Sequence, residues 1–297
     1  MVKTQSGFIL GLFLVSLQAL AHSGGQDSNG GHTNSSTGEY HCHSATCVMP
    51  TTAAPTPTPS PAPTAISSTS ATCNGHLKYG LPSEPDQLLC RQGYALGYNY
   101  SRKSADWVAY RLTPGIHNSG NVPRQDDFRE DTEIPAIYRT TPDDYDEPIY
   151  HQGHLANSES LDATVSMNSE TFLMSNMSPQ IPGLNVGAWK GLENRERKWA
   201  TERGEVYVYA GALFIGGVKG VIGSNVPVPT HYYKIIYDPD TNEAVGYIFP
   251  NDAILTAQLR NLARSVDFIE IVSGLNFLDV LPDSLEEQIE GALLTTL

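Results

Sequence analysis

The chain has 297 residues, 40% of them apolar and 17% charged, with 32 Asp and Glu against 18 Lys and Arg and a formal net charge of −14. This length and apolar content suffice for one large globular domain or two smaller ones, and they exclude a coiled coil and a highly charged disordered chain. The acidic balance also excludes a basic coat over the whole surface, so any phosphate-binding surface has to be a local cluster.

The first 21 residues have the features of a signal peptide. Lys3 precedes an apolar run from Phe8 to Val15, and residues 19–21 form the small-x-small pattern at which such leaders are cleaved. The run is too short for a membrane-spanning helix, and no later stretch reaches the roughly 18–20 apolar residues that a span requires. We therefore expect an exported chain, secreted or periplasmic, with no membrane association.

The mature chain divides into three parts. Residues 22–48 form a small module rich in Gly and His, residues 49–72 form a linker of Pro, Thr and Ser that cannot bury a core, and residues 73–297 form the main domain. Export makes disulfides plausible for the four cysteines. Local pairing would join Cys42 to Cys47 and Cys73 to Cys90, although the sequence allows three connectivities.

The main domain alternates short strand-like segments with turns. Segments rich in β-branched and aromatic residues predict strands over 106–112, 170–174, 205–215, 232–237 and 244–249. The spacing of Ala188, Leu192 and Trp199 predicts an amphipathic helix between Asn185 and Gly204, and a second helix is expected over 253–267. The acidic C-terminal stretch is expected to form a solvated helix. Together these elements predict an α+β fold with a mainly antiparallel sheet flanked by helices.

The densest polar constellation lies between Arg124 and Arg197. His154 follows Gly153 near a turn, where its ring can face a cleft, and Glu193 and Arg197 are four residues apart on one helix face. Asn185 is either the N-cap of that helix or an oxygen ligand for a hard cation. An imidazole, an amide oxygen, a carboxylate and guanidinium groups suit the hydrolysis of phosphodiesters.

The order of these residues resembles the DNA/RNA non-specific endonucleases of the ββα-metal (His-Me finger) type, whose signature is D-R-G-H-x-x-P, then S-N-x-x-P-Q, then N-x-G-x-W-x-x-L-E. Here the matching segments are Gly153-His154, residues 175–180 and residues 185–193. The resemblance extends from about residue 73 to 282. It implies a ββα-metal core and an enzyme that hydrolyses DNA and RNA to 5′-phosphate products. It is also compatible with a homodimer.

The resemblance also implies roles for individual residues. His154 would be the general base, and Asn185 would be the protein ligand of a hydrated Mg²⁺, with Mn²⁺ as an alternative. Glu193 would orient the waters of that ion, and one of these waters would protonate the leaving 3′ oxygen. Asn176 would hold the loop around the histidine. The substrate phosphates would be contacted by Arg129, Arg197 and the residue at position 152.

Two positions depart from the family pattern. The Asp-Arg pair before Gly-His is His151-Gln152 here, and the final Pro of the first motif is Asn157. Gln152 removes a permanent charge, a loss of roughly 1.5–3 kcal/mol if a charged hydrogen bond is involved. His151 can supply positive charge when it is protonated. This departure keeps open two alternatives: a phosphodiesterase or pyrophosphatase acting on small molecules, and a catalytically weakened protein that binds nucleic acid or metal.

The N-terminal module offers a second potential metal site. His32, His41, His43 and Asp27 are the residue types that bind Zn²⁺, and histidines at alternate positions of a strand point to one face. Zinc-finger spacing is absent, so a tail without metal is the equally weighted alternative.

Overall fold

The fold is described here from a computed structural model, which describes residues 31–33, 40–42, 73–117, 122–146 and 148–297. Within these ranges, none of the helices has the length and apolar character needed to cross a bilayer. The expected leader 1–21 and linker 49–72 lie outside the described residues. Cys73 and Cys90 form the expected disulfide, whereas Cys47, the expected partner of Cys42, lies outside the described residues.

The described residues form short and long strands that all pair in the antiparallel sense. They are β1 Gly31–Thr33, β2 Tyr40–Cys42, β3 Gln87–Cys90, β4 Ala95–Asn99, β5 Ser104–Leu112, β6 His151–His154, β7 Met177–Gln180, β8 Val206–Leu213, β9 Gly220–Ile222, β10 Val226–Val228, β11 His231–Asp238, β12 Glu243–Pro250 and β13 Ala263–Arg264.

Seven of these strands form the main sheet, in the order β13-β12-β11-β8-β5-β4-β3. The central strands β8 and β11 are buried along almost their whole length, which explains why residues 206–213 and 232–237 are rich in Val, Ile, Ala and Tyr. The sheet has an apolar cluster on each face. Both faces are therefore covered by other elements.

The helices are α1 Pro114–His117, α2 Val165–Glu170, α3 Lys190–Arg203, α4 Val266–Ser273 and α5 Asp283–Glu290. Helix α3 packs on one face of the sheet through Leu192 and Trp199. Helices α4 and α5 pack on the other face through Ile269 and Ile289. The predicted α+β fold, with a mainly antiparallel sheet between helices, is confirmed.

Four of the five predicted strands are confirmed as β5, β8, β11 and β12. The prediction of a strand over 170–174 is wrong, because α2 ends at Glu170 and the chain then makes a 3-10 turn at Met174–Asn176. Thr164 caps α2 by accepting a hydrogen bond from the Met167 amide at 3.1 Å. The capped helix fixes the direction of the chain, so the apolar residues after it are buried at a turn instead of in a sheet.

The predicted helix over 185–204 is confirmed as α3, which is preceded by a π-helical turn at Leu184–Trp189. The prediction of a helix over 253–267 is confirmed only in part. Residues Thr256–Leu262 form a 3-10 helix, and α4 begins only after Ser265, whose hydroxyl accepts a hydrogen bond from the Phe268 amide. The expectation of a solvated C-terminal helix is wrong, since two glutamates of α5 are buried.

Candidate active site

The residues singled out in the sequence are carried by β6, β7 and α3. Strand β6 pairs with β7 in a register that places His154 opposite Met177 and Gly153 opposite Ser178. A Cβ atom at position 153 would overlap the side chain of Gln180, so this position requires glycine. The two strands and the helix together form the ββα unit that the sequence pattern implies.

His154 ends β6 in a pocket of aromatic rings. Its ring is 8% exposed and meets Phe172 edge-to-face at 5.0 Å and Phe128 at 5.8 Å. Burial, followed by the nearby Arg124 guanidinium, lowers the pKa of His154 to about 3, although a hydrogen bond with the Gln152 backbone acts in the opposite direction. The imidazole is therefore uncharged at neutral pH. Its Nε2 atom has no hydrogen-bond partner among the described residues and so is available to a bound molecule.

Asn185 lies in the π-helical turn before α3 and is half-buried. The N-cap of this turn is Gly183, so the interpretation of Asn185 as the N-cap is not what the structure shows. The Asn185 Nδ2 atom lies 3.1 Å from Nδ1 of His151. An amide that donates through Nδ2 leaves Oδ1 as the acceptor, and this is the atom that a hard cation would bind.

Glu193 lies in the first turn of α3 and is 5% exposed. Burial raises the pKa of its carboxyl to about 7; Lys234 opposes this rise, Glu196 adds to it, and a hydrogen bond with Asn157 opposes it. The carboxyl therefore titrates near neutral pH in the absence of a ligand. A cation beside it would favour the ionised form.

These three side chains line the same cavity, of about 190 Å³. Its walls also include Arg124, Gln152, Asn157, Ser158, Glu159, Val186 and Lys190. This volume corresponds to about six water molecules at liquid density. An amide oxygen and a carboxylate in a cavity of this size fit a small cation that keeps most of its waters, as Mg²⁺ does.

A larger cavity of about 520 Å³ adjoins the first and shares Arg124, Gln152 and Asn185 with it. It is lined on its far side by aromatic and acidic residues: Phe128, Tyr145, Tyr150, Asp143 and Asp146. Pro142 and His151 complete the wall. The side of the site that holds His154 and Asn185 therefore continues into a wider groove.

Of the arginines, the structure brings Arg124 to the site and leaves the two expected ones outside both cavities. Arg129 forms an ion pair with Asp127 at 2.8 Å and donates to the Ser169 carbonyl at 3.0 Å. Arg197 pairs with Glu159 at 3.0 Å rather than with Glu193, so the expected contact on one helix face is not formed.

Arg124 is held by Asp126 at 2.6 Å and by the Ser158 hydroxyl at 2.7 Å, and its guanidinium lies over the Phe172 ring at 4.6 Å. In the sequence, Arg124 stands at the edge of the polar constellation and is not among the predicted site residues. Arg124 lies five residues before Arg129 in the same loop. No helix or strand periodicity applies there, so the sequence does not indicate which of the two arginines faces the cavity.

Asn176 is fully buried and does not line either cavity. Its side chain accepts from the Ala156 amide at 2.9 Å and donates to the carbonyls of Ala156 and Thr171 at 2.9 and 2.8 Å. It thus fixes the loop that follows His154. From the other side, Trp189 donates its indole N–H to the His154 carbonyl at 3.1 Å.

The proposed zinc site is described only in part. His32 and His41 are cross-strand partners in the β1–β2 pair. Asp27 and His43 lie outside the described residues, so the four-ligand arrangement stays a prediction.

Comparison with known proteins is consistent with this geometry. The Nuclease C1 of Cunninghamella echinulata is 35% identical over 221 residues, which cover 69% of this chain and 88% of the relative. A nuclease of Nostoc sp. is 32% identical, and the match covers 76% of this chain and 88% of the relative. Human mitochondrial endonuclease G is 34% identical over 219 residues, which cover 68% of this chain and 72% of the relative.

Among solved structures, a chain from the crystal structure of an EndoG/EndoGI complex matches with a TM-score of 0.66 and 30% identity. The match covers 70% of this chain and 91% of that chain. The sequence profile described as DNA/RNA non-specific endonuclease matches residues 74–284. The chain is therefore a nuclease that belongs to the DNA/RNA non-specific endonuclease family.

Proposed function

We propose that this nuclease is a metal-dependent endonuclease that cleaves both DNA and RNA and leaves 5′-phosphate ends. The observation that carries the proposal is the convergence of His154, Asn185 and Glu193 on one cavity beside Arg124. Hydrolysis of a phosphodiester requires a base for the attacking water and positive charge near the phosphate, and this group supplies both.

His154 is the general base. Its Nε2 atom takes a proton from a water molecule, the oxygen of that water attacks the phosphorus, and the bond between phosphorus and the 3′ oxygen breaks. The leaving 3′ oxygen takes a proton from a second water molecule in the cavity, so the products are a 3′ hydroxyl and a 5′ phosphate. The ring is uncharged at neutral pH and so can accept a proton, and the rings of Phe128 and Phe172 fix its orientation. The backbone hydrogen bond with Gln152 and the partnerless Nε2 support this role.

Asn185 and Glu193 are the residues that would hold a metal ion. When bound, Mg²⁺, or Mn²⁺ as the alternative, would supply charge that stabilises the phosphate oxygens in the transition state. Asn185 would ligate the ion through Oδ1, and Glu193 would accept hydrogen bonds from its waters. His151 keeps the Asn185 amide turned so that Nδ2 faces the imidazole, which gives this departure from the family pattern a positioning role.

Arg124 is the phosphate-binding guanidinium of this site, in place of Arg129 and Arg197. It borders both cavities and is held in place from both sides by Asp126 and Ser158. Gln152 offers amide donors at the position where the family has an arginine. The larger cavity takes an adjoining nucleoside, because its aromatic side suits a base and its aspartates disfavour a second phosphate.

We also propose that the enzyme acts outside the cytoplasm, as a secreted or periplasmic protein. The signal-peptide pattern over 1–21 and the Cys73–Cys90 disulfide support this location.

The test is cleavage of supercoiled plasmid and of a structured RNA by the purified chain, with Mg²⁺ and with EDTA. We expect cleavage of both polymers with Mg²⁺ and none with EDTA, and products that ligate without prior phosphorylation of their 5′ ends. His154→Ala should lower kcat by about 10²–10⁴-fold, the range of general-base catalysis. The matched control is His231→Ala, because His231 lines neither cavity.

Cleavage of dinucleotides without cleavage of either polymer would contradict the proposal and favour a small-molecule phosphodiesterase. So would full activity of His154→Ala.

A further inference from the structure

A cluster of carboxylates lies where α4 and α5 meet, on the face of the main sheet opposite α3. Asp267 and Glu270 are almost one turn apart on α4, and Glu290 is the last residue of α5. One carboxylate oxygen from each of the three lies within 4.8 Å of the other two. The two helices thus direct three carboxylates toward a common centre.

Among the described residues, four carboxylate oxygens at this centre are buried and lack partners, whereas Oε1 of Glu270 accepts a hydrogen bond from the Phe277 amide at 2.7 Å. Glu270 and Glu290 are 1% and 0% exposed. Within the described part of the chain, neither carboxylate oxygen of Glu290 has a hydrogen-bond partner, nor does Oε2 of Glu270 or Oδ1 of Asp267. A buried carboxylate without a partner is strongly unfavourable. The cluster therefore requires something that neutralises it.

The charged groups that act on the three clustered side chains are carboxylates. Residues 267–297 contain seven acidic residues and no Lys, Arg or His. Burial, and then repulsion from Glu270, Glu286, Asp267 and Asp279, raises the pKa of Glu290 well above its ordinary value. The ion pairs found among the described residues include none of the three clustered side chains. Either protons or a cation must neutralise the cluster.

We propose that Asp267, Glu270 and Glu290 bind a Ca²⁺ ion that ties α4 to α5. Carboxylate oxygens are the ligands of hard cations, and Ca²⁺ takes six to eight oxygens with flexible geometry and accepts bidentate carboxylates. Calcium–oxygen distances of about 2.3–2.6 Å allow opposite ligands to be about 5 Å apart, which accommodates the spacing of this cluster. Mg²⁺ binds at about 2.0–2.1 Å in a strict octahedron and keeps several waters, which fits a buried three-carboxylate cluster less well.

This site is separate from the catalytic cavity. Helix α3 covers one face of the sheet, and α4 and α5 cover the other, where Val266, Ile269 and Ile289 join the second apolar cluster. The bound Ca²⁺ would stabilise the C-terminal helices against the sheet without contacting the substrate. The proposed site is therefore tested by measuring Ca²⁺ binding and thermal stability.

The experiment measures Ca²⁺ binding by isothermal titration calorimetry and Tm by circular dichroism on the full chain, freed of metal, at pH 7.5. The Asn185→Ala background removes the amide ligand of the catalytic cavity. We expect one Ca²⁺ per chain, a Tm that rises by several degrees at saturating Ca²⁺, and Mg²⁺ binding at least tenfold weaker. Glu290→Gln should weaken Ca²⁺ binding at least tenfold and abolish the rise in Tm.

The matched control is Glu287→Gln, which makes the same change in charge on the exposed side of α5 and should alter the Ca²⁺ affinity less than threefold. If Glu290→Gln does not fold, Asp267→Asn provides the same comparison. Unchanged Ca²⁺ binding in Glu290→Gln, or in Asp267→Asn where that variant is used instead, would overturn the proposal. A wild-type Tm that does not respond to Ca²⁺, together with a higher Tm for Glu290→Gln, would show instead that protons neutralise the cluster. Tighter binding of Mg²⁺ than of Ca²⁺ would also overturn the proposal of a Ca²⁺ site. None of these results depends on nuclease activity.

Discussion

Replacement of Glu193 by Gln should make the protein more stable at pH 8 and less active. The carboxyl is buried, and its pKa is raised from the ordinary 4.5 to about 7, mainly by burial. The folded state therefore binds the proton more tightly than the unfolded state. The stability associated with this proton is complete below pH 4.5 and is lost as the pH rises to about 7. A shift of this size corresponds to about 3 kcal/mol. The glutamine side chain of the variant cannot ionise, so the variant does not lose this stability as the pH rises.

The measurement is urea denaturation of the wild type and of Glu193→Gln at pH 4.5 and pH 8, in EDTA. At each pH, the free energy of unfolding of the wild type is subtracted from that of the variant. This difference should be about 3 kcal/mol larger at pH 8 than at pH 4.5. Taking the difference between the variants cancels the other buried acids. In the plasmid assay, Glu193→Gln should lose about 10–100-fold in activity, the range for residues that orient metal-bound water.

Glu196→Gln is the matched control, because it makes the same change one turn away on α3. Glu196 forms a buried ion pair with Lys234 at 3.0 Å, so its replacement leaves an unpaired charge and should destabilise the protein by about 3–5 kcal/mol. If Glu193→Gln and the wild type had the same dependence of stability on pH, the carboxyl would not titrate as described and the reasoning would be refuted.

Three further predictions concern the site and its support. Arg124→Ala should lower kcat/KM by about 10–150-fold through loss of a charged hydrogen bond, whereas Arg129→Ala should change it less than threefold; equal effects in the plasmid assay would contradict the assignment. Asn176→Ala should lower the free energy of unfolding by about 2–4 kcal/mol, because it leaves buried backbone groups without partners; an unchanged urea midpoint would contradict this. Replacement of Cys73 and Cys90 by Ala, which opens a loop with a sequence separation of 17, should cost about 3 kcal/mol in the same assay, and a loss below 1 kcal/mol would argue against it.

The sequence predicted the main sheet well because its central strands are buried on both faces. Residues 206–213 and 232–237 are apolar at almost every position, with the buried Lys234 as the exception, and this leaves a signal that local reasoning detects. The strands β3, β4, β6 and β7 are short, and their strand character depends on pairing partners that sequence periodicity does not identify. The 170–174 segment shows the opposite error, since apolar residues buried at a turn resemble a strand.

The site was predictable as a set of motifs, whereas its exact membership was not. Asn185 lies in the π-helical turn and Glu193 in the first turn of α3, which follows directly, so their proximity depends on local structure. Whether Arg124 or Arg129 faces the cavity depends on a loop held by Asp126, Ser158 and other side chains, and such contacts leave no pattern in sequence. The burial of Glu290 was missed for a related reason, because an acidic helix ordinarily faces solvent.

The central claim is that His154, Asn185 and Glu193 surround a catalytic metal ion. An anomalous difference map from crystals of the full chain soaked in Mn²⁺ tests it most directly. The account predicts a peak in the smaller cavity, within roughly 2.0–2.6 Å of Oδ1 of Asn185, with Nε2 of His154 facing the same space. A map with no peak in that cavity, or with Mn²⁺ only between α4 and α5, would contradict it.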